Sequence, residues 1–301
     1  MRNWKIGLNG KVVDAREAVI PVYDHGLMYG MGCFETLRTY GGVPFLLDRH
    51  MERLRQSCAE IGIRVRLDTA EVGAMIASLL EANGLTDAYV RCSVTAGVAE
   101  LGLPAGEYER PNLIIYMKEL APAGDPHMRP GKPLQLLRLR RNSPEGARRL
   151  KSFHYMNNLL GKRECASYPW ATGAEGLFLD HDGYVAEGVV SNLFFVRGGI
   201  CRTPCADLGI LAGITRECVL RLAHKSGIPA EEGRYTLDEL LEAEEMFLTN
   251  SVQEIVPVSR LYGTDGAVLW SSGSVRGPVT AALTEQYRET IREVCGRERN
   301  L

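Results

Sequence analysis

Alternating apolar and polar positions, divided by tight-turn residues, open the chain and predict two β-hairpins. Residues 5–13 form an extended pattern that is divided at Asn9-Gly10, and Asn-Gly is a strong two-residue signal for a hairpin turn. Residues 38–46 repeat the pattern around Gly41-Gly42. Two hairpins so close together in sequence favour an antiparallel sheet.

Helical periodicity of the apolar residues follows the hairpins. Residues 47–61 place apolar side chains on one helical face, and residues 69–83 form a second helical pattern that ends before Gly84. Further strands are predicted at Ala88–Thr95, Asn112–Met117, Leu134–Arg138, Gly176–Asp180, Tyr184–Glu187, Leu193–Val196 and Glu245–Leu248. Further helices are predicted at Asn157–Ser167, Thr215–Ser226 and Val279–Val294.

The order of these elements predicts an α+β fold with two domains. The strands come in runs with helices segregated between them, which differs from the strict alternation of a parallel sheet. A stretch rich in Pro and Gly near the middle of the chain is typical of a linker. We therefore predict an N-terminal α+β domain at residues 1–120, an interdomain linker at 121–132 and a C-terminal domain at 133–301.

Composition and charge favour small molecules as ligands. The formal net charge of -2 gives no basic surface of the kind that nucleic acid or an anionic membrane attracts. No apolar segment has the length of a membrane span or the pattern of a secretory signal, which predicts a cytoplasmic protein. The eight cysteines lack the spacing of a disulfide framework, so we expect reduced thiols. Cys201 and Cys205 form a close pair without further ligands, and no metal site is predicted.

Three polar signatures in the second half of the chain point to one kind of chemistry. Lys151 is surrounded in sequence by aromatic and amide side chains, unlike the other six lysines. Glu187 ends an apolar run, where a carboxylate is costly unless it is paired. Gly213 and Thr215 open a helical pattern, where free N–H groups and the helix dipole favour an anion. A pyridoxal phosphate site needs such an amine, such an acid and such an anion cradle.

Each signature, taken alone, has an ordinary structural alternative: a surface lysine, a strand-end glutamate that faces water, and a simple N-cap. Their combination and spacing, with Glu187 placed 36 residues after Lys151, resemble the class IV (fold-type IV) pyridoxal phosphate aminotransferases. This family includes branched-chain aminotransferases, D-amino-acid aminotransferases and 4-amino-4-deoxychorismate lyases. The resemblance extends from about Trp4 to about Val258.

The resemblance implies a fold, a cofactor and an assembly. The expected fold has a smaller α+β N-terminal domain and a larger, mostly β-barrel-like C-terminal domain. The expected cofactor is pyridoxal 5'-phosphate, the expected partners are an amino acid and a 2-oxo acid, and the expected assembly is a homodimer. Lys151 is then the catalytic residue, which forms a Schiff base (aldimine) with the cofactor and moves the α-proton of the substrate.

The resemblance also implies roles for further residues. Glu187 is expected to pair with the ring nitrogen of the cofactor, and Tyr155 with its phenolic oxygen. The other expected cofactor-binding residues, mostly near the phosphate, are Arg53, Leu211, Gly213, Ile214, Thr215 and Ser251. The expected substrate-binding residues are Tyr29, Phe34, Tyr89, Arg91, Ser251 and Val252. The ordinary alternatives are a solvated helix arginine for Arg53 and a strand arginine paired with an acid for Arg91.

Transamination is the leading functional prediction, with branched-chain L-amino acids as the first guess for the donor and 2-oxoglutarate as the acceptor. The lyase activity is the alternative, because Thr36 stands where branched-chain members often have Gly and residues 34–38 also look like lyase-type members. D-amino-acid transamination is less favoured, since the Arg and His that those enzymes use for the substrate carboxylate are missing after Arg91. A catalytically silent binding module is a further alternative, although every expected position carries a competent residue type.

Overall fold

The structure is a computed structural model, and it describes residues 4–120, 131–273 and 276–297. These residues form two compact units. The first unit contains the described residues of Met1–Ala123, Leu150–His154 and Ile291–Leu301, and the second those of Gly124–Arg149 and Tyr155–Thr290. The predicted linker at 121–132 lies outside the described residues, apart from its last two positions. The segment with Lys151 groups with the first unit, although the predicted boundaries assigned it to the C-terminal domain.

The first unit is built on a six-stranded antiparallel sheet with the strand order β2-β1-β6-β5-β3-β4. Asn9 and Gly10 have φ angles of 49° and 78°, the left-handed conformation that the predicted tight hairpin turn requires. The strands of this unit are β1 (Lys5–Leu8), β2 (Lys11–Asp14), β3 (Gly32–Tyr40), β4 (Val43–Pro44), β5 (Ala88–Thr95) and β6 (Asn112–Glu119). Its helices are α1 (His25–Tyr29), α2 (Leu47–Glu60) and α3 (Thr69–Asn83).

One face of this sheet forms the hydrophobic core of the first unit. Cys33 and Leu37 of β3 are fully buried there and pack in one cluster with Met51 and Leu54 of α2. Because side chains alternate along a strand, the residues between Cys33 and Leu37 alternate between this core and the opposite face of the sheet. Phe34 belongs to the opposite face, which α2 does not cover. This alternation determines which residues of β3 can form part of a site.

The second unit is built on a nine-stranded mixed sheet with the order β12-β11-β10-β13-β14-β7-β8-β9, in which β15 also pairs with β14. Its strands are β7 (Lys132–Leu136), β8 (Glu175–Leu179), β9 (Val185–Gly188), β10 (Asn192–Arg197), β11 (Ile200–Pro204), β12 (Ala230–Gly233), β13 (Glu245–Asn250), β14 (Glu254–Tyr262) and β15 (Val268–Ser271). Its helices are α4 (Met156–Ser167), α5 (Ile214–Lys225) and α6 (Leu237–Leu241), and α7 (Pro278–Arg297) begins in this unit. Buried Leu177, Leu193 and Leu248 belong to its core.

The predicted α+β class is confirmed, because strands and helices are segregated in both units. Helix α3 and strand β5 have the predicted bounds, and most other predicted elements have ends that differ by up to three residues, whereas β3 begins at Gly32, well before the predicted hairpin. The elements α1, α6, β11, β12, β14 and β15 were not predicted. Helices α1 and α6 have five residues each, too few for a helical period to be visible. Within the described ranges, no helix has both the length and the apolar character that crossing a bilayer requires.

Candidate active site

The segment that carries Lys151 pairs with the beginning of β3. The backbone N–H of Phe34 donates to the carbonyl oxygen of Lys151 at 2.8 Å, and the N–H of Phe153 donates to the carbonyl of Gly32 at 2.9 Å. Position 32 requires glycine, since an added Cβ would lie 2.5 Å from the Phe153 ring and 2.6 Å from a backbone oxygen of β5. The backbone at Lys151 is therefore fixed against the sheet of the first unit.

Lys151, Phe34 and Arg91 meet on the face of this sheet that α2 does not cover, which we call the open face. Lys151 Nζ lies 4.6 Å from the centroid of the Phe34 ring, and the guanidinium carbon of Arg91 lies 3.6 Å from the same centroid. Phe34 is 3 % exposed, whereas Lys151 and Arg91 are half-buried. Both contacts have the geometry of cation–π interactions. The structure thus brings the predicted imine-forming lysine close to two of the predicted substrate-binding residues.

Tyr89 and Tyr29 lie in the same unit. Tyr89 precedes Arg91 by two positions on β5, so both side chains point to the same face of the sheet, where Tyr89 is half-buried. Tyr29 ends α1 and is exposed, with its hydroxyl accepting the N–H of Gly102 at 3.3 Å. The carbonyl of Tyr29 lies 3.2 Å from His154 Nε2, which connects α1 to the Lys151 segment.

Arg53 forms a bidentate ion pair with Glu35. Its Nε lies 2.6 Å from Glu35 Oε1, and its Nη2 lies 2.8 Å from Oε2. His50 Nδ1 lies 2.7 Å from the same Oε2. Burial alone would raise the pKa of Glu35, but Arg53 and His50 outweigh this effect and lower the pKa to about 2. Because the Arg53 side chain is only 14 % exposed, the alternative of a solvated helix arginine does not hold, and its phosphate contact stays a prediction.

Glu187 lies in the fully buried strand β9 and is held by three donors. Arg141 Nε donates to Oε1 at 2.8 Å, while the N–H of Leu211 and the amide of Asn192 donate to Oε2 at 3.0 and 3.3 Å. A carboxylate offers about four lone-pair positions, so Oε1 retains one for a further donor. The alternative of a glutamate that faces water is excluded, and the geometry suits a protonated ring nitrogen.

Arg141 was not predicted as a site residue. Its Nη1 donates to the side-chain oxygens of Asn157 and Asn158 at 2.7 and 3.3 Å, and the amide of Asn158 donates to the carbonyl of Val189. Arg141 therefore connects the start of α4 to strand β9 and its Glu187. A run of basic residues such as that around Arg141 is also typical of a solvated loop, so only the adjacent pair of asparagines after Tyr155 points to a buried polar cluster in the sequence.

Tyr155 and Arg149 lie near this polar cluster. Tyr155 is half-buried at the N-cap of α4, where its carbonyl accepts the N–H of Leu159. Arg149 donates to the backbone carbonyls of Asn142 and Gly209. Burial, and after it the nearby charge of Arg141, lowers the pKa of Arg149 to about 10. Arg149 thus adds a second, half-buried cation to the surroundings of the Glu187 carboxylate, whose opposing charge raises the same pKa.

The start of α5 and the turn after β13 carry the residues that are predicted to form the phosphate cradle. Helix α5 begins after Gly213 without a side-chain cap, and its first residue, Ile214, is buried. The hydroxyls of Thr215 and Ser251 lie 3.4 Å apart although 36 residues separate them. An added Cβ at Gly213 would lie 2.1 Å from Asn192 Oδ1. The uncapped helix start and the two hydroxyls fit a phosphate.

Thr249 carries a buried hydroxyl two residues before Ser251. Thr249 is 1 % exposed on β13, and its Oγ1 has no hydrogen-bond partner among the described residues. Buried polar groups are nearly always satisfied, so such an atom indicates a ligand or water. The N–H of Val252, in contrast, donates to Asn250 Oδ1 at 3.0 Å, which engages this amide within the turn. The substrate contacts of Ser251 and Val252 stay predictions.

Lys132 shows how another half-buried lysine of this chain is satisfied. Its Nζ lies 2.8 Å from Glu175 Oε2, and the Glu175 side chain is 3 % exposed. Imine formation needs an amine that can attack a carbonyl, whereas this ion pair engages the amine with a carboxylate. Lys132 is half-buried like Lys151, but this ion pair makes it a poor alternative to Lys151.

The first unit carries a half-buried lysine, and the second unit carries a buried acid with one acceptor position left and a helix start without a side-chain cap. These are the residue types that a pyridoxal phosphate enzyme needs. The family model for class IV amino-transferases matches residues 32–261, and the chain belongs to this family. It is therefore a pyridoxal phosphate-dependent transaminase, and the predictions of family, fold type and cofactor are confirmed.

Three proteins are similar to this chain over almost its whole length. The aminodeoxychorismate lyase of Bacillus subtilis (strain 168) is 39% identical, with 96% of this chain and 95% of the relative covered. The branched-chain aminotransferase of Thermoproteus uzoniensis, solved with norvaline, is 31% identical with a TM-score of 0.82, covering 98% of this chain and 96% of that one. The branched-chain amino acid aminotransferase of T.th., complexed with N-(5'-phosphopyridoxyl)-L-glutamate, is 30% identical with a TM-score of 0.82, covering 99% and 96%.

Proposed function

We propose that this transaminase moves an amino group from a branched-chain L-amino acid to a 2-oxo acid such as 2-oxoglutarate. The observation that carries the proposal is the contact of Lys151 and Arg91 with the same Phe34 ring. An amine that can take up the α-proton then lies close to a guanidinium that can bind a substrate carboxylate. Two aminotransferases that resemble the chain over nearly its whole length carry branched-chain amino acids in their names, which supports this donor class.

The proposed cofactor roles follow from the contacts of each residue. Pyridoxal phosphate supplies an aldehyde that amines can attack and a ring that withdraws electrons from the substrate α-carbon. Lys151 binds this aldehyde and carries the α-proton, and Glu187 accepts the N–H of the ring and keeps it protonated. Tyr155 donates to the phenolic oxygen. The phosphate is bound by Arg53, Gly213, Ile214, Thr215 and Ser251.

The proposed substrate roles belong mainly to the open face of the first unit. Arg91 binds a substrate carboxylate by charge-assisted hydrogen bonds. Phe34 and Tyr89 border the same part of the sheet and exclude water from it, while Tyr29 contributes an apolar wall. An aliphatic side chain fits such aromatic surroundings because its burial is favourable and needs no hydrogen-bonding partner.

A substrate panel tests the proposed transamination. Purified enzyme is given L- and D-amino acids with 2-oxoglutarate or pyruvate, and leucine with 2-oxoglutarate is expected to give glutamate. Glu187→Gln is expected to retain the fold and to slow α-proton abstraction by orders of magnitude, because the ring loses its charged partner. An unchanged rate in this variant refutes the role of Glu187, and the absence of glutamate with every branched-chain donor refutes the donor class.

A 4-amino-4-deoxychorismate lyase activity is the second candidate, and Thr36 favours it. Thr36 lies opposite Arg91 in the pairing of β3 with β5, two positions from Phe34. A hydroxyl is therefore present next to the predicted carboxylate-binding arginine, where branched-chain members often have only the hydrogen of Gly. The Bacillus subtilis relative carries this activity in its name. Formation of 4-aminobenzoate and pyruvate from aminodeoxychorismate, without glutamate formation from leucine, decides for the lyase.

The proposal includes a homodimer and a cytoplasmic location. Four apolar side chains of the first unit, Val22, Leu27, Leu101 and Leu103, are from 68 to 85% exposed, and their burial against a second copy would be favourable. Light scattering of the purified protein measures the assembly, and a mass of one chain contradicts the dimer. The location stays a prediction from the composition.

A further inference from the structure

We propose that Glu35 is a positioning residue for the cofactor phosphate, which it serves by holding the guanidinium of Arg53 in a fixed orientation. This inference rests on the proposed function, in which Arg53 binds the phosphate. Glu35 itself is not proposed to contact the cofactor. Its two carboxylate oxygens bind Arg53 Nε and Nη2 at 2.6 and 2.8 Å, and this contact occupies one edge of the planar guanidinium.

The position of Glu35 on β3 separates it from the substrate residues. Phe34 and Thr36 flank Glu35, so strand alternation turns their side chains to the open face and Glu35 to the helix-covered face. His50 and Arg53 are three residues apart on α2, which places both on the same side of that helix. One strand can thus supply a substrate wall on one face and orient a phosphate ligand on the other.

The ion pair of Glu35 and Arg53 is largely buried, so its geometry is more rigid than that of a surface ion pair. Glu35 is 1 % exposed and His50 is 1 % exposed, so the carboxylate has two protein partners and little contact with water. A guanidinium that is already immobilised loses little rotamer freedom when an anion binds, which strengthens anion binding. Bidentate contact fixes the plane of the guanidinium as well as its position.

The test compares two ligands that differ by the phosphate group. Apo-protein is titrated with pyridoxal phosphate and with pyridoxal, and the absorbance or tryptophan fluorescence gives each Kd. In Glu35→Gln the Kd for pyridoxal phosphate is expected to rise about two- to tenfold, the range expected when one side chain must be ordered on binding. The Kd for pyridoxal is expected not to change. This readout does not depend on turnover.

A matched control comes from the same helix. Glu52 also forms a two-point contact with an arginine, Arg55, but this pair is exposed, with side-chain exposures of 52% and 36%. Glu52→Gln is expected to leave both Kd values unchanged. If Glu35→Gln does not fold, Glu35→Asp is measured instead, because it keeps the charge and withdraws the carboxylate by one methylene. The expected change in the two Kd values has the same direction.

Arg53→Gln separates failure of this inference from failure of the proposed function. If Arg53→Gln leaves the ratio of the two Kd values unchanged, Arg53 does not bind the phosphate, and both the proposed phosphate contact of Arg53 and the positioning role of Glu35 are refuted, whereas the proposed amino-group transfer is tested separately by the substrate panel. If Arg53→Gln changes the ratio and Glu35→Gln does not, only the positioning role of Glu35 is wrong. An equal loss for both ligands, or tighter binding of pyridoxal phosphate, also overturns that role. The double variant is expected to bind no more weakly than Arg53→Gln, since Glu35 acts through Arg53.

Discussion

Replacing Arg141 with methionine removes the buried partner of Glu187 and is expected to lower the free energy of unfolding by about 3 kcal/mol. The two side chains are 4% and 5% exposed and joined by a contact of 2.8 Å. Without Arg141, the Glu187 carboxylate stays buried in strand β9 and has lost its charged partner. Methionine has a similar length, so loss of packing contributes little to the change.

The magnitude follows from the contacts of each partner. Breaking a buried ion pair by removing one member typically costs about 3–5 kcal/mol. The lower value applies here because the N–H of Leu211 and the amide of Asn192 still donate to Glu187 Oε2. The amide oxygens of Asn157 and Asn158 also lose their contact with Arg141. Each lost hydrogen bond lowers the free energy of unfolding further, so we do not expect the total loss to be much smaller than about 3 kcal/mol.

Urea denaturation of the apo-protein measures the effect, with Arg197→Met as the control in the same unit. Arg197 pairs with Glu242 at 2.5 Å, but the side chains are 41% and 61% exposed, and exposed pairs contribute only about 0–1 kcal/mol. The double variant Arg141→Met with Glu187→Leu is expected to be more stable than Arg141→Met alone, since no uncompensated charge remains. If Arg141→Met loses no more stability than Arg197→Met, the reasoning about the buried pair is wrong.

Two further predictions concern the cradle and the acid response. Gly213→Ala is expected to displace Asn192, whose Oδ1 would lie 2.1 Å from the new Cβ, and so to weaken pyridoxal phosphate binding, whereas Gly106→Ala, with open space around it, is the control; equal Kd values for the two variants contradict the cradle. Glu35 has a pKa of about 2 against an ordinary 4.5, so its ionisation stabilises the fold above that ordinary value, and this contribution is lost as the pH falls through the folded-state pKa. The stability advantage of the wild type over Glu35→Gln, measured by urea unfolding from about pH 5 to about pH 2, is expected to shrink, and a constant advantage contradicts the ion pair as its source.

Local patterns were sufficient to predict most of the elements. Helix α3 has its N-cap at Asp68 and its C-cap at Gly84, and both residues carry out these roles in the structure. Helix α6 was missed, although Thr236 and Glu239 form a capping box at its start. This signal is local and visible in the sequence, but the helix is too short for the periodicity by which helices were recognised.

The buried polar contacts could not be predicted in the same way. Glu35 and Arg53 are separated by 18 residues, and Arg141 and Glu187 by 46 residues. No local pattern pairs such residues, because their contact depends on strand register and on how helices pack against the sheet. Lys151 and Glu187 were predicted as site residues from their motifs. Asn192 and Arg141, which donate hydrogen bonds to Glu187, could be identified only from the structure.

The central claim is that Lys151 is joined covalently to pyridoxal phosphate. Reduction of the purified enzyme with borohydride, followed by peptide mass spectrometry, tests it most directly. The account predicts that the visible absorbance band disappears, that the peptide containing Lys151 alone carries the reduced cofactor, and that Lys151→Ala shows neither the band nor the modified peptide. A modified peptide containing another lysine such as Lys132, or a borohydride-sensitive band that persists in Lys151→Ala, contradicts the account.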